Sequence, residues 1–381
     1  MKVGVPKETL PGERRVALDP DTVAKLVASG LEVLIEEGAG EAAFFTDSRY
    51  EASAARLVDA ATLYAEADIT LKVQRPSLEE ADRLCEGTVL VSCLQPHSNL
   101  DLVRKLADRN VTSFSMEAVP RVTKAQSMDA LSSMSTIAGY KAVLLAATTH
   151  AKLFPMLVTA AGTLAPARAL ILGAGVAGLQ AIATARRLGA IVQAFDVRPA
   201  TKEQVESLGA SFIEAELGQQ DTEDKGGYAK ELSQDSQTRT LETIRRHLLK
   251  VDIVVTTALI PGKPAPLLIT EEMVREMKPG SVIVDLAAEA GGNCAVTQAG
   301  KEVLHHHITV LGPGNLPSTV PLHASQMYAR NISTFLNHLV RDKSINLDFD
   351  DVIIRDMCLT HDKQVRHEST RTLLTVQEKP Q

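Results

Sequence analysis

Short apolar runs recur at residues 3–5, 33–35, 69–73, 89–91 and 111–114, and between them lie segments such as 20–29 and 100–108 whose apolar residues repeat at helical spacing. Strand-length runs alternating with helix-length periodic segments predict a mostly parallel, doubly wound sheet in the first third of the chain. Asp19 or Asp21 can cap the first helix and Gly30 can end it. The rhythm breaks at residues 116–136, a polar stretch carrying Arg121, Gln126, Asp129 and Ser132. Polar segments between two α/β halves commonly hold ligands, and a solvated linker has the same composition.

A long helical pattern at 136–154 opens the second alternation. Strand runs fall at 169–172, 191–195, 251–256, 281–286 and 308–311, with helices at 176–188 and 271–277 and another after Pro199 that Gly209 closes. A helix from His323 to about Leu339 and a weak strand at 352–354 finish the fold, and the tail after Arg366 reads as frayed. Residues 217–237 are strongly polar, with Gly226 and Gly227 beside Tyr228, which predicts a mobile loop whose tyrosine can fold over a ligand. The expected fold class is α/β: two doubly wound, parallel-sheet, Rossmann-like domains separated by a cleft. One is discontinuous (1–132 and 323–381); the other spans 133–322.

The densest signal is ALILGAGVAGLQAIATARRLGAIVQAFD, residues 169–196. Strand, glycine turn, helix, strand and acid follow in the order of a dinucleotide-binding βαβ unit. Gly173 permits the tight turn, Gly175 lets the backbone approach a pyrophosphate, and Gly178 lets the helix pack on the strand. The first helical amides, at Val176 and Ala177, present the positive end of the helix dipole. Asp196, followed by Val197 and Arg198, selects the dinucleotide. A carboxylate there can take both ribose hydroxyls but repels a 2′-phosphate, at a cost of up to about 4 kcal/mol for charges 4 Å apart at an effective dielectric of 20. NAD(H) is therefore expected over NADP(H). Arg198 stands against this, because an arginine there can accept the extra phosphate; beside Pro199 it otherwise reads as a solvated first-turn residue. Thr257, Ala258 and Leu259, at the strand end in TTALIPGKPAP, are expected to edge the ligand crevice.

Composition narrows the picture. The 381 residues, 45% hydrophobic and 23% charged, suffice for two sizeable cores, and a net charge of −7 argues against nucleic acid or an anionic membrane surface as partner. Cys85, Cys93, Cys294 and Cys358 lack CxxC spacing and read as reduced thiols of a cytoplasmic protein. His305, His306 and His307 invite a metal, but consecutive side chains point to different sides and no acid or cysteine at ligand spacing accompanies them, so no metal is expected. The start MKVGVPKE enters a strand directly, so no signal peptide is expected. The uncharged run 169–185 is short and glycine-rich, a buried strand and helix face and not a membrane span.

Together GAGVAGLQAIATARRLGA, DVRPATKEQVESLG, RVTKAQSMDALSS, GGYAKE, TTALIPGKPAP and VDLAAEAGGNC closely resemble, over nearly the whole chain, the NAD(H)-binding component (domain I, within the alpha subunit) of the proton-translocating nicotinamide nucleotide transhydrogenase. The resemblance implies direct hydride transfer between NAD(H) bound here and NADP(H) on a partner domain, coupled to proton movement through a membrane domain on other subunits. It also implies a homodimer in the cytoplasm, peripheral to the inner membrane through those partners and without direct insertion; the chain itself stops at Gln381 after a polar tail. It places Arg121, Gln126, Asp129 and Ser132 beside the nicotinamide, Tyr228 in a mobile loop and Asp196 on the adenosine ribose. These residue types suit such a transfer, which needs no general acid, base or metal but two rings held about 3–3.5 Å apart with water excluded. Gln126 and Ser132 can hydrogen-bond a carboxamide or ribose; Arg121 and Asp129 can pair or orient the ring.

The same fold resembles alanine dehydrogenase, which uses an arginine, a lysine and a histidine around pyruvate. Arg15 in GERRVALDP and Lys72 in LKVQRP stand at the corresponding places, but Cys93 stands where that family has histidine, and His97 lies a few residues on. Without that acid/base, reductive amination lacks its proton carrier. Arg15 and Lys72 are then expected to be structural ion-pair residues. A non-catalytic NAD(H) sensor is the remaining alternative.

Overall fold

Strands form where apolar runs rich in valine and isoleucine are bounded by turn residues. The computed structural model describes residues 1–214, 233–260 and 263–377, and the chain divides into Met1–Met134 with Pro317–Gln381 (unit 1) and Ser135–Leu316 (unit 2). Unit 1 opens with β1 (Lys2–Val5), β2 (Glu32–Glu36), β3 (Arg56–Val58), β4 (Ile69–Leu71), β5 (Val89–Ser92) and β6 (Thr112–Ser115). Unit 2 carries β7 (Leu157–Thr159), β8 (Gly162–Leu164), β9 (Arg168–Leu172), β10 (Ile191–Phe195), β11 (Ser211–Ile213), β12 (Ile253–Thr256), β13 (Val282–Asp285), β14 (Glu302–His305) and β15 (Ile308–Leu311). The chain returns to unit 1 with β16 (Val340–Arg341), β17 (Ser344–Ile345), β18 (Cys358–His361) and β19 (Gln364–Val365).

In unit 1 the described strands run β19-β18-β6-β5-β4-β1-β2-β3, parallel from β6 to β3, with β18 and β19 antiparallel at the edge. Alternate side chains serve two layers. Val3, Val33, Ile69 and Val89 pack with Tyr328, Ile332, Phe335 and Leu336, while Leu34 and Leu90 pack with Leu63, Leu102 and Leu106. Asp19 caps the first helix, its carboxylate accepting from the Thr22 amide at 3.0 Å, and Gly30 turns away at φ +90°.

Unit 2 repeats the plan as β11-β10-β9-β12-β13-β15, parallel, with β14 antiparallel at the edge. Ile171, Val255 and Val284 face the layer holding Ala181, Ile182 and Ala185; Leu170, Val254 and Ile283 face Ile244, Leu248 and Met273. Both units are thus three-layered α/β folds with parallel-dominated, Rossmann-like sheets.

Several segments depart from expectation. Residues 352–354 are not a strand but open the helix Val352–Met357, because the Asp351 carboxylate accepts from the Ile353 and Ile354 amides and outweighs the β-branched run. The tail is not frayed after Arg366: it forms the helix Glu368–Gln377, with Leu374 buried. Of the polar stretch 217–237, Ser233 caps a helix Gln234–Leu248, so its last residues are helical; residues 217–232 lie outside the described residues. The long helix is Ala130–Thr149 and not 136–154, and the β7–β8 hairpin follows it unforeseen. His306 and His307, at φ +48° and +65°, make the two-residue turn between β14 and β15.

The uncharged run 169–185 is β9 and the start of the helix Val176–Arg187. Among the described residues one helix, Ala130–Thr149, is long and apolar enough to cross a membrane. Its Ala142, Val143 and Ala146 are buried in the core of unit 2, the setting in which an apolar helix belongs to a folded interior.

That helix meets Val176–Arg187 at a glycine. A Cβ on Gly139 would lie 2.0 Å from the Ala177 carbonyl oxygen. Alanine has the better helix propensity by about 1 kcal/mol, yet the backbone clash is larger. Gly139→Ala is expected to lower unfolding free energy by about 1–3 kcal/mol in urea titration; a stabilised variant would show that the two helices separate freely.

Candidate functional site

The order of the unit 2 sheet reverses at β9, which has β10 on one side and β12 on the other. In a doubly wound sheet such a reversal opens a crevice at the strands' carboxyl ends. The three glycines after β9 answer three different constraints. Gly173 has φ +101°, and a Cβ on it would lie 2.5 Å from Thr257 Oγ1. A Cβ on Gly178 would lie 1.8 Å from the Gly173 carbonyl oxygen. Gly175 has ordinary φ, and a Cβ there would meet nothing within 4 Å. Gly175 is the N-cap of the helix Val176–Arg187 and offers no capping side chain. The first-turn amides, at Val176 and Ala177, therefore lack a cap and can receive an anion.

The opposite wall is the end of β12. The Thr257 amide donates to the Leu172 carbonyl at 2.8 Å, and its hydroxyl donates to the Gly173 carbonyl at 3.1 Å. The Ala258 amide donates to Asn293 Oδ1 at 3.0 Å, and Asn293 Nδ2 donates to the carbonyls of Ala258 and Pro266. Leu259 stands half exposed at the rim. Behind them the fully buried Asp285 accepts from the Thr256 and Thr297 hydroxyls and from the amides of Ala287, Asn293 and Cys294. Sequence reasoning misses Asp285 and Asn293. The usable signal is an acid ending a strand in VDLAAEAGGNC, the same relation Asp196 has to β10.

Asp196, with the half-buried Val197 behind it, ends β10. Its carboxylate accepts from the Ala174 amide at 2.7 Å and from Arg198 three times: amide and Nε at 2.9 Å, Nη2 at 2.7 Å. Arg198 is therefore not a solvated first-turn residue. Its side chain is only 16% exposed, because the intervening turn folds the guanidinium back onto the acid.

In unit 1 the polar stretch is ordered. Gln126 lies on the 3₁₀ helix Thr123–Met128, anchored by buried Ala125 and Met128, and is exposed, as is Arg121 just before it. Asp129 and Ser132 come together: one carboxylate oxygen accepts the Ser132 amide at 2.8 Å and the other its hydroxyl at 2.5 Å. Tyr228 lies outside the described residues.

Arg15 and Lys72 are held by the chain's own acids. Arg15 makes a two-point pair with Glu13 at 2.8 and 2.6 Å. Lys72 Nζ lies 2.9 Å from Glu80 and 3.5 Å from Glu8, all nearly fully buried. Burial pushes the Glu13 carboxyl up, but the hydrogen bonds and charge of Arg15 outweigh it and hold it at about 2. Burial and the Glu117 carboxylate push the Cys93 thiol up, so it keeps its proton at neutral pH. His97 is exposed on the 3₁₀ helix Pro96–Ser98, its Nε2 2.9 Å from Ser369 Oγ.

A doubly wound α/β protein with a glycine turn at the switch point of one sheet is the class these features define. The chain belongs to the alanine dehydrogenase/PNT family, whose N-terminal domain matches residues 4–138 and whose C-terminal domain matches 142–368. It is 49% identical to the first of the separately encoded pieces of the NAD(P) transhydrogenase alpha subunit in Rhodospirillum rubrum, over 96% of this chain and 98% of that one. The crystal structure of transhydrogenase from Sinorhizobium meliloti matches with a TM-score of 0.85 at 42% identity, covering 97% of this chain and 100% of the other. Alanine dehydrogenase of Halomonas elongata is more distant, 33% identical over 77% of this chain and 74% of its own.

The buried acids of unit 1 make a pH prediction. Burial pushes Glu8 up to about 7 against the pull of Lys72. An unfolded glutamate releases its proton near 4.3, so between about pH 4.3 and 7 the folded chain binds more protons than the unfolded one, and this group's contribution to stability falls as pH rises. Relative to wild type, Glu8→Gln is expected to gain on the order of 3 kcal/mol between about pH 4.5 and pH 8. Urea midpoints of both proteins across that range measure it, and a constant difference would mean that Glu8 ionises normally.

Proposed function

We propose that the chain is the NAD(H)-binding component of a transhydrogenase, passing a hydride between NAD(H) held on unit 2 and NADP(H) held by a partner protein, with proton movement coupled through a membrane partner. The observation that carries this reading is Gly175: open space over a helix start without a capping side chain, with the Asp196 carboxylate at the end of the neighbouring strand. These residues fit a dinucleotide. The amides at Gly175, Val176 and Ala177 would hold the pyrophosphate, Asp196 the adenosine ribose, and Thr257, Ala258 and Leu259 the crevice edge. The bound nicotinamide supplies the hydride chemistry. The side chains have only to orient and shield it.

Arg121, Gln126, Asp129 and Ser132 are assigned to that orientation. Asp129 fixes Ser132 through two hydrogen bonds, and exposed Gln126 offers both an amide donor and an acceptor. Tyr228 is assigned to cover the ligand.

The relatives' designation as one piece of a divided subunit supports further subunits, and with them attachment at the cytoplasmic face of the inner membrane through partners. The homodimer reading is supported by the β7–β8 hairpin, where all six strand residues are exposed and Val158 is 75% exposed, apolar surface a second copy would cover. Alanine dehydrogenase activity is disfavoured by Glu13, Glu80 and Glu8, which already neutralise Arg15 and Lys72, and by the protonated Cys93 thiol.

The deciding assay mixes the chain with an NADP(H)-binding transhydrogenase domain and follows reduction of an NAD analogue by NADPH, with pyruvate, ammonia and NADH given separately to the chain alone. Turnover in the first arm and none in the second is expected; the reverse would make it an alanine dehydrogenase. Gln126→Asn is expected to slow hydride transfer more than about tenfold in single-turnover mixing while NADH affinity changes little; equal loss of both would remove Gln126 from the transfer step. Gly175→Ala should melt like wild type, because its φ is ordinary and its Cβ meets nothing, yet bind NADH at least about tenfold more weakly. Unchanged NADH affinity would place the pyrophosphate elsewhere.

A further inference from the structure

The acid that ends β10 has no vacant acceptor position. An ionised carboxylate offers about four lone-pair sites, and four donors of the chain meet this one. The Ala174 amide and Arg198 Nη2 reach Oδ2, and the Arg198 amide and Nε reach Oδ1. A ribose diol needs two of those sites. The two amides are fixed, one by the glycine turn and one by the turn into Pro199–Thr201. The guanidinium sits on a flexible stem and is the group that can leave.

We propose that Arg198 is a displaceable internal ligand of Asp196 that sets the nucleotide preference. It stands in for the ribose diol when no nucleotide is bound and yields to an unphosphorylated ribose. Once the acid's charge is removed, it becomes the acceptor for a 2′-phosphate. This rests on the dinucleotide reading of the glycine turn.

Charge and geometry both favour the assignment. An unphosphorylated ribose exchanges two guanidinium hydrogen bonds for two hydroxyl bonds to the same anion. A 2′-phosphate must break a two-point ion pair to reach the arginine and then lies against the uncovered carboxylate. Asparagine at 196 keeps one oxygen for the Ala174 amide but turns an NH₂ toward the guanidinium, which is thereby released toward the ligand. Methionine at 198 removes the competitor and leaves Asp196 with its two backbone donors and open sites for the diol.

The test compares wild type, Arg198→Met, Asp196→Asn and the double variant. Each is titrated with NADH and NADPH by the nucleotides' own fluorescence, which a chain without tryptophan does not obscure, and each is melted without nucleotide to confirm folding. Arg198→Met should bind NADH about two- to tenfold tighter and reject NADPH more strongly. Asp196→Asn should gain at least about tenfold for NADPH, and the double variant should lose that gain while binding NADH as Asp196→Asn does. A gain for NADPH that survives without Arg198, or an Arg198→Met chain that binds NADH about tenfold more weakly, would overturn the proposal. If Asp196→Asn fails to fold, the Arg198→Met titration still decides it. Wild type binding neither nucleotide would remove the dinucleotide reading and this inference together, whereas NADH binding indifferent to residue 198 would remove this inference alone.

Discussion

The strand that ends at Leu172 and the helix that begins at Val176 leave no room for a side chain between them. A single carbon at position 178 would lie 1.8 Å from the Gly173 carbonyl oxygen. Because the two elements are pressed together, the helix starts directly over the strand end and its first amides open onto the crevice. The Thr257 hydroxyl takes the Gly173 carbonyl, and Asn293 with Asp285 holds the facing wall. Gly139 extends the same constraint by letting a second helix press on the Ala177 carbonyl. The site is backbone held at short range, and side chains mostly keep that backbone in place.

The two sheets treat their reversal points in opposite ways. In unit 2 the strands' ends leave amides without a capping side chain. In unit 1 the order reverses at β1, between β4 and β2. Glu8 follows β1, Lys72 follows β4, and the two meet with Glu80 in a buried cluster. One topology thus yields a place prepared for an anion and a place already filled by the chain's own charges. Removing a buried charge from such a cluster leaves its partner uncompensated, which keeps the cluster in being whether or not it has a use.

The glycine turn, the alternating strands and the Asp19, Gly30 and Gly209 punctuation are legible because each rests on neighbours in sequence. That Arg15 and Lys72 would be paired is legible as well. Their acids are not, since Glu8 and Glu80 reach Lys72 only once β1 and β4 lie side by side. The helix at Val352 is hidden because one aspartate cap outweighs three β-branched residues, and β14 is hidden because histidines at 306 and 307 do not advertise a tight turn. Arg198 is the instructive case. Its partner is two residues away, yet spacing alone does not say that the turn between them closes. The five donors on Asp285 come from residues 256, 287, 293, 294 and 297, and no local pattern gathers these.

The β7–β8 hairpin has a consequence of another kind. A two-stranded ribbon in water holds its shape poorly unless something lies over it, and every residue of this one faces outward. On the chain alone it is the segment most open to a protease and most ready to stick to a stray strand. Whatever settles over it therefore guards the protein against cutting and clumping before it contributes anything to catalysis.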